Sequence, residues 1–501
     1  MTLCRILLIG ILGISPALAQ QTTGWRGDGT GRYPAATPVT EWSTAKNVVW
    51  KTQMPSRSNA SPVLAGGKIF VCSEPFTLLC VDAKDGKIFW QKTNSHVDTL
   101  SPEAAAKARG KIEKRRTIAV KVKAIQKEQR ATHAEREKVD RELKQIANEL
   151  KPKPDPPPGT PAPTEEERNK EEARKAELKK KADELNKRLA ELKPLAETQT
   201  KQLAGLKVLW NSAKPHRRPR THKTNGYSSS TPVSDGTHVY ALFGNGVAAC
   251  YDLDGNRVWI RTVERPTHGR GNSASPVLVA GKLIVKIRGI TALDAQTGKT
   301  LWRTPAAHRW GTPVATRVGD VDVLVAPAGE LIRVSDGKVL AAKMSDVTYC
   351  APIVHTNTAY FVQNGGRALE LSPGREKTVS AKPIWTTTPK KDRYYGSPVL
   401  HDGLIYAMTQ KGHLSVIDAK TGKVVHQKRL NFGRGRSFPS VTLAGMHLFL
   451  SHENGTTVVM TLGREPKLIA KNKLEPFRSS PVFTGKRMIV RTATHLYCIG
   501  E

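Results

Sequence analysis

Arginine recurs just ahead of a set of regularly spaced prolines along the chain. These arginines lie three to six residues before the prolines, and two are followed two places on by asparagine, as in Arg57-Ser58-Asn59. Guanidinium groups bind carboxylates, phosphates or sulfates through paired hydrogen bonds. Adjoining aromatic residues would stack on a planar cofactor or a sugar face. The candidate ligand-binding residues are Arg57, Asn59, Arg270, Asn272, Arg309, Trp310, Arg393, Tyr394, Arg434, Arg436 and Arg478.

Two interpretations of these arginines are open. In the first, they surround one opening of the fold, where a ring of cations would focus positive potential on an anionic ligand. In the second, each arginine ties its part of the backbone to the next by donating to carbonyl oxygens. No catalytic residue and no metal ligand emerges from the pattern in either case.

The prolines belong to a repeat of about forty residues, a period typical of propellers and solenoids. The fullest copy, Ser273–Pro305, contains three apolar runs, the tight turn Asp294–Lys299 and a last short strand with Trp302. This pattern predicts a four-stranded antiparallel meander. The copies are marked by Pro62, Pro232, Pro276, Pro313, Pro352, Pro398, Pro439 and Pro481.

The two ends of the chain complement each other. The last copy stops before its fourth strand, whereas Asn47–Thr52 reads as a fourth strand without a copy of its own. A ring of repeats closes when an N-terminal strand completes the last unit, which leaves only short edges. We therefore expect an all-β fold, an eight-bladed β-propeller of four-stranded antiparallel blades that is closed by the N-terminal strand.

Residues 101–210 interrupt the repeats between the first and second copies. Two segments rich in Ala, Glu, Lys and Leu flank a proline-rich tip at 152–163, and apolar residues follow steps of three and four from Val139 to Leu150 and from Leu178 to Leu192. These seams predict an inserted antiparallel α-helical coiled-coil hairpin, kinked at Pro194. The hairpin is either a tolerated surface insertion or an arm that reaches a protein partner.

The first residues predict export. Residues 1–19 combine Arg5, an apolar run and Ala17-Leu18-Ala19, which is typical of a signal peptide cleaved after Ala19. The run is too short to anchor the mature chain as a transmembrane helix, so we expect a periplasmic or extracellular protein. The predicted parts that follow are an N-terminal extension (20–46), the closing strand with the first blade (47–100), the hairpin, a basic linker (211–224) and the remaining blades (225–501).

The formal net charge is +35. Such a charge concerns partners and solubility rather than fold. The linker carries part of it and is either a solvated return loop or an anion-binding patch. Export disfavours nucleic acid as the partner of this charge. We expect the cysteines that remain after cleavage to be buried, with free thiols. The alternative is a disulfide between Cys72 and Cys80, which the strand register would have to permit.

The repeated Ser-Pro-Val and Asp-Ala-x-Thr-Gly-Lys-x-x-Trp resemble the pyrroloquinoline-quinone-like (PQQ-like) repeat. That repeat builds the eight-bladed quinoprotein dehydrogenases and the propeller lipoprotein of the outer-membrane β-barrel assembly machinery. The resemblance covers residues 42–93 and 225–501. Because the repeat serves both enzymes and scaffolds, it implies the fold more strongly than the function. Gln20, not cysteine, follows the cleavage site, so we expect no lipid anchor.

The resemblance to quinoprotein dehydrogenases implies adjacent cysteines, a calcium site and an aspartate base. This sequence has no adjacent cysteines, and its repeated aspartates are turn residues. We therefore predict an exported, non-catalytic scaffold for binding or assembly in the cell envelope, with a protein partner that the hairpin contacts. The alternatives are a PQQ-dependent oxidoreductase, with PQQ as its cofactor, and a binder of anionic glycans or other polyanions through a basic rim.

Overall fold

The computed structural model describes residues 23–151, 162–212 and 218–501. The predicted signal peptide, most of the predicted proline-rich tip and residues 213–217 of the basic linker lie outside the described residues. The chain divides into two compact units. One contains the residues up to Thr99 and those from Arg218 onward, and the other extends from Leu100 to Arg217.

The first unit is built from four-stranded antiparallel sheets, numbered here in chain order. Two strands precede sheet 1: Arg32–Tyr33 (β1) and Val48–Gln53 (β2). Sheets 1 to 4 consist of Val63–Ala65 (β3), Lys68–Ser73 (β4), Thr77–Asp82 (β5) and Ile88–Thr93 (β6); Val233–Ser234 (β7), His238–Leu242 (β8), Val247–Asp252 (β9) and Arg257–Thr262 (β10); Val277–Val279 (β11), Lys282–Lys286 (β12), Ile290–Asp294 (β13) and Thr300–Thr304 (β14); Val314–Val318 (β15), Val321–Val325 (β16), Leu331–Arg333 (β17) and Val339–Ala341 (β18).

Sheets 5 to 8 continue the pattern. The unit also contains two short 3-10 turns, His96–Thr99 after β6 and Arg375–Lys377 within sheet 5. The strands of sheets 5 to 8 are Ile353–His355 (β19), Thr358–Val362 (β20), Gly366–Pro373 (β21) and Val379–Thr387 (β22); Val399–His401 (β23), Leu404–Met408 (β24), His413–Asp418 (β25) and Val424–Arg429 (β26); Thr442–Ala444 (β27), His447–Ser451 (β28), Thr456–Thr461 (β29) and Leu468–Lys473 (β30); Val482–Thr484 (β31), Arg487–Arg491 (β32) and His495–Ile499 (β33).

The two N-terminal strands join the last two sheets. Strand β1 pairs in parallel with β27, so sheet 7 has five strands, and β2 pairs antiparallel with β33 as the fourth strand of sheet 8. In the latter register Trp50 lies opposite Cys498. The predicted mainly β architecture of four-stranded antiparallel sheets, consistent with a β-propeller, is confirmed.

Burial along the strands shows how the sheets stack. The middle strands β4 and β5 are buried on both faces, whereas the outer strand β6 alternates between half-buried and exposed residues. A strand buried on both faces lies between two neighbours and reads as a continuous apolar run. Shared hydrophobic clusters join consecutive sheets, and one containing Val71 and Ile489 joins sheet 8 to sheet 1.

Tryptophans of the outer strands bind the tight turn of the following sheet. Trp259 Nε1, for example, donates to the Ala295 carbonyl at 2.9 Å. The turn glycine Gly298 has a φ of +67°, and a Cβ there would lie 2.6 Å from the Trp259 ring. The same pairing joins Trp50 to Ala83 and Gly86, Trp90 to Leu253 and Gly255, Trp302 to Val334 and Gly337, and Trp385 to Ala419 and Gly422. These turns therefore link sheets as well as closing hairpins.

The second unit is a pair of helices, Pro102–Glu149 (α1) and Glu165–Ser212 (α2). Ser101 caps α1, and Thr164 and Glu167 form a reciprocal capping box at the start of α2. Pairs such as Arg174 with Glu149 at 2.9 Å show that the helices run antiparallel. Helix α2 continues through Pro194. In the described part of the chain, no helix has both the length and the apolar character needed to cross a membrane.

Candidate functional site

A chain of hydroxyl groups joins the segments that lead into the sheets. Ser61 N donates to Thr231 Oγ1, Thr231 N to Ser275 Oγ, and Ser275 N to Thr312 Oγ1, each at 3.0 Å. The same bond runs from Ala351 N to Ser397 Oγ (2.9 Å), Ser397 N to Ser440 Oγ (3.1 Å), Ser440 N to Ser480 Oγ (2.9 Å) and Ser480 N to Ser61 Oγ (2.9 Å). These eight residues are termed the entry positions.

The entry positions correct one detail of the repeat. Seven bonds connect the eight sheets, and the link from sheet 4 to sheet 5 is missing because Ala351 has no hydroxyl group. In sheet 7 the entry position is Ser440, followed by Val441, so Pro439 is not the equivalent of the other prolines. The error arose because the sequence there reads Phe-Pro-Ser-Val rather than Ser-Pro.

The segments before the entry positions surround a cavity of about 450 Å³. In every sheet, the residue two places before the entry position lines it. These residues are Asn59, Ser229, Ser273, Trp310, Tyr349, Tyr395, Phe438 and Arg478. In an extended segment successive side chains point to opposite sides, so the residue two places before each entry position faces the cavity and the residue three places before it faces away.

The structure brings six of the predicted site residues together at this cavity. The six are Asn59, Arg270, Trp310, Arg393, Arg436 and Arg478. The predicted arginines precede six of the eight sheets, but only those before sheets 3, 6, 7 and 8 reach the cavity.

Five predicted residues are not among those that line the cavity. Tyr394, Asn272 and Arg309 are three places before their entry positions; Tyr394 is fully buried in the core, and its hydroxyl donates to Lys390 O at 2.8 Å. Arg57 and Arg434 are exposed but do not reach the lining. Because side chains alternate along the segment, those of Tyr394, Asn272 and Arg309 point away from the cavity.

Sequence reasoning missed several lining residues. Tyr349 and Tyr395 occupy the same position as Trp310, and counting back two places from each entry position would have found them. A loop containing His222, Thr224 and Asn225 also lines the cavity. The carbonyl oxygen of Thr224 in this loop accepts hydrogen bonds from two other lining residues, from Asn59 Nδ2 at 2.8 Å and from Arg478 Nη1 at 2.9 Å.

The cavity is strongly positive. It is lined by four arginines and, among the residues that the structure describes, by no aspartate or glutamate. The charge of Arg478 is offset by Glu453, whose Oε2 lies 2.7 Å from Nη2. Arg270, Arg393 and Arg436 form no ion pair within the described ranges. A hydrogen bond to Tyr395 raises the pKa of Arg393.

One wall of the cavity is a continuous row of aromatic rings from sheets 4 to 7. Trp310 stacks on Tyr349 with ring centroids 5.4 Å apart, and Tyr395 stacks on Phe438 at 4.8 Å. Tyr349 and Tyr395 meet edge to face at 4.9 Å. The Arg478 guanidinium lies 4.4 Å from the centroid of Phe438, a cation–π contact. Offset and edge contacts of this kind hold the wall in one arrangement.

Trp25 lies at the end of the cavity away from Arg393 and Arg436. It is a lining residue, and its neighbour Arg26 donates to backbone carbonyls at the start of sheets 6 and 7, at 2.7 and 3.1 Å. Thr23 forms backbone bonds with Ser234 of sheet 2. The two carbonyls that accept from Arg26 belong to Pro398 and Val441, which directly follow the entry positions of sheets 6 and 7. Arg393 and Arg436 lie four residues before the same two entry positions. The N-terminal segment and these arginines therefore lie at opposite ends.

His308 beside this wall is expected to titrate at an unusually low pH. Its ring stacks on His268 at 4.3 Å and meets Trp310 edge-on at 5.0 Å. Burial, followed by the charges of His268, Lys286 and Arg309, lowers the pKa of His308 from 6.5 to about 4. An NMR titration should therefore show a midpoint near 4.

The same shift has a consequence for stability. Between pH 6.5 and about 4 the unfolded chain binds a proton at His308 that the folded chain does not, so unfolding free energy decreases as the pH falls through this window. His308→Asn should flatten that part of the pH profile. A midpoint near 6.5, or an unchanged profile in the variant, would contradict this assignment.

The cavity does not fit the calcium ion that the resemblance to quinoprotein dehydrogenases implies. Calcium takes about six to eight oxygen ligands, chiefly carboxylates, and none lines the cavity. Among residues 23–151, 162–212 and 218–501, no three His, Cys, Asp or Glu side chains lie close enough together to hold a metal.

The cysteines do not supply redox chemistry either. All five described cysteines are buried and free. Cys72 lies opposite Leu78 and Cys80 opposite Phe70, so the register does not pair the two thiols. Burial raises the pKa of both thiols to about 12, which makes them unreactive at neutral pH.

The chain aligns with several solved structures at low sequence identity. BamB from Moraxella catarrhalis aligns at 12% identity with a TM-score of 0.43, over 54% of this chain and 83% of that one. A europium-containing methanol dehydrogenase aligns at 10% identity with a TM-score of 0.48, over 93% and 96%.

Two sequence relatives carry the same name. Outer membrane protein assembly factor BamB of Yersinia pestis is 24% identical over 231 residues, which are 41% of this chain and 57% of that protein. The protein of the same name in Legionella pneumophila (strain Paris) is 24% identical over 197 residues, 36% and 49%. The chain thus spans about half the length of these relatives.

A family model extends the match to both sides of the helical unit. The model is described as outer membrane protein assembly factor BamB, and it matches residues 35–120 and 286–500, more than half of the 501 residues. The chain therefore belongs to this family of PQQ-like repeat propellers.

Proposed function

We propose that the chain is an exported, non-catalytic β-propeller that acts as a binding or assembly scaffold in the cell envelope. The observation that carries the proposal is the family match over residues 35–120 and 286–500. The family model and both relatives carry the name outer membrane protein assembly factor BamB.

The scaffold rests on a closed ring of eight blades, which is part of the proposal. Three features support closure: the pairing of β2 with β33, the bond from Ser480 N to Ser61 Oγ, and the Trp50 contact with Ala83 of sheet 1. The strand pairing completes sheet 8 with an N-terminal strand, and the two hydrogen bonds join sheet 8 to sheet 1. A closed ring has no long free edge, so it offers a rigid surface for partners.

The proposed location is the periplasm or the exterior. Its support is the signal-peptide pattern of residues 1–19, with cleavage after Ala19. The helical unit, Leu100–Arg217, is the proposed contact for a protein partner, since two antiparallel helices of 48 residues each expose a long charged surface.

The oxidoreductase alternative has weaker support. The cavity has no carboxylate for calcium, and the buried thiols form no disulfide that a quinone could contact. The side chains that line the cavity are arginines, aromatic rings, hydroxyl groups, the amides of Asn59 and Asn225 and the imidazole of His222, which supports a binding role.

Depletion of the protein in its native host tests the proposal. We expect a selective fall in outer-membrane β-barrel proteins, measured by quantitative proteomics of envelope fractions, and recovery when the wild-type chain is restored. An unchanged outer-membrane proteome would overturn the assembly role. Dye reduction by the purified chain that depends on both calcium and quinone would favour the enzyme instead.

A further inference from the structure

The axial cavity has the dimensions of a small-molecule site. Its volume of about 450 Å³ lies within the range of about 300–1,000 Å³ found for ligand pockets. Trp25 occupies one end, so a ligand enters from the end that carries Arg393 and Arg436. The site therefore accepts a small molecule or the end of a longer one.

The walls differ in chemistry. Sheets 4 to 7 contribute the aromatic row, whereas Asn59, Ser229 and Ser273 contribute hydroxyl and amide groups from sheets 1 to 3. The entry-position hydroxyls of Ser61 and Thr231 also reach the lining. A ligand that matches both walls has an apolar face and many hydroxyl groups. Sugars have this combination, because their C–H groups pack on aromatic rings while their hydroxyls donate and accept hydrogen bonds.

The arginines add a requirement for negative charge. Arg270, Arg393 and Arg436 line the cavity without a carboxylate partner in the described part of the chain, and all three residues are exposed. A guanidinium binds a carboxylate or sulfate through two parallel hydrogen bonds. Three unpaired cations around one opening favour an anion there over water and small cations.

We infer that the axial cavity binds the end of an acidic saccharide, one or two sugar units that carry a carboxylate or a sulfate ester. The sugar's C–H groups pack along the aromatic row, its hydroxyls bond to the side chains of sheets 1 to 3, and its acidic group lies between Arg393 and Arg436. This inference goes beyond the scaffold role and does not depend on it.

A flat aromatic cofactor matches the cavity less well. Each ring of the stacked pairs Trp310–Tyr349 and Tyr395–Phe438 already uses one face on its partner. Arg478 lies over Phe438 as well. The rings therefore form one side of the cavity rather than two parallel plates between which a planar molecule would be held.

Calorimetric titration of the full mature chain tests the inference. The probes are a disaccharide that contains glucuronic acid, the same disaccharide with a sulfate ester in place of the carboxylate, and its neutral counterpart. We expect either or both acidic forms to bind, and the neutral form to bind at least about tenfold more weakly, since a charged hydrogen bond is worth that much or more. The two acidic probes identify which group the site prefers.

Two neighbouring arginines provide a matched pair of variants. Arg436→Ala should weaken binding of the preferred acidic probe by about tenfold or more, whereas Arg434→Ala should leave it unchanged. Both side chains are exposed, but only Arg436 lines the cavity, so neither change disturbs the core.

Four results would overturn the inference. They are equal affinity for neutral and acidic probes, equal losses in Arg434→Ala and Arg436→Ala, binding of pyrroloquinoline quinone but of neither saccharide, and no binding of any probe. Equal losses would show a general attraction of polyanions to the +35 chain, which rising salt would abolish.

Discussion

Replacing Gly298 with alanine is expected to lower the free energy of unfolding by about 2–5 kcal/mol, from a left-handed backbone and an overpacked contact together. Its φ is +67°, and the added Cβ would lie 2.6 Å from the ring of Trp259. That ring is held in place by its bond to Ala295 O at 2.9 Å, so it cannot move aside without losing the link between sheets 2 and 3. Denaturant unfolding followed by fluorescence measures the loss.

Gly281 in the same sheet provides the control. Its φ of +69° is almost the same, but a Cβ there meets nothing within 4 Å. Gly281→Ala should therefore lose only the backbone contribution of about 1–2 kcal/mol. In a Trp259→Ala background the two glycine variants should become equal, because the clash is gone. Equal losses in the presence of Trp259 would show that the turn does not act between sheets.

A disulfide between residues 53 and 495 should stabilise the chain by up to about 5 kcal/mol, because it closes a loop of nearly the whole chain. Gln53 and His495 are register partners in β2 and β33. Met54 N donates to Thr494 O at 2.8 Å, so the adjacent pair is not hydrogen-bonded, and its Cα atoms are about 4.5 Å apart. Gln53→Cys/His495→Cys should therefore oxidise readily.

The cross-link is read by a shift on a non-reducing gel and by thermal unfolding with and without reductant. The five described native thiols are buried and should remain reduced. Each single cysteine variant serves as a control, and His495→Cys alone reports the loss of the bond between His495 and Glu475. Failure of the double variant to cross-link under oxidation would mean that β2 does not complete sheet 8.

Local signals made the sheets predictable from the sequence. The Ser-Pro entry, the Asp-to-Gly turn and the apolar runs each act within one repeat, and the unfinished last copy matched the lone strand at Asn47–Thr52. The partner of each tryptophan was not predictable in this way, because it lies in the next repeat. Trp259 and Gly298 are far enough apart in sequence that only the packed sheets show their contact.

The site was predictable only in part because proximity to a proline does not say which way a side chain points. Arg393 and Tyr394 are adjacent, yet one lines the cavity and the other is buried in the core. Tyr349 has no arginine beside it and was missed. The hydroxyl bonds of the entry positions define the phase of the alternation, and these bonds form between repeats.

The most direct measurement of the cavity's role is arginine-selective modification with phenylglyoxal, read residue by residue by mass spectrometry, with and without a saturating acidic disaccharide. The structure predicts protection of Arg270, Arg393 and Arg436, and unchanged modification of Arg57 and Arg434, which are exposed but do not line the cavity. Protection spread evenly over all five arginines, or protection of none, would contradict a ligand site in this cavity.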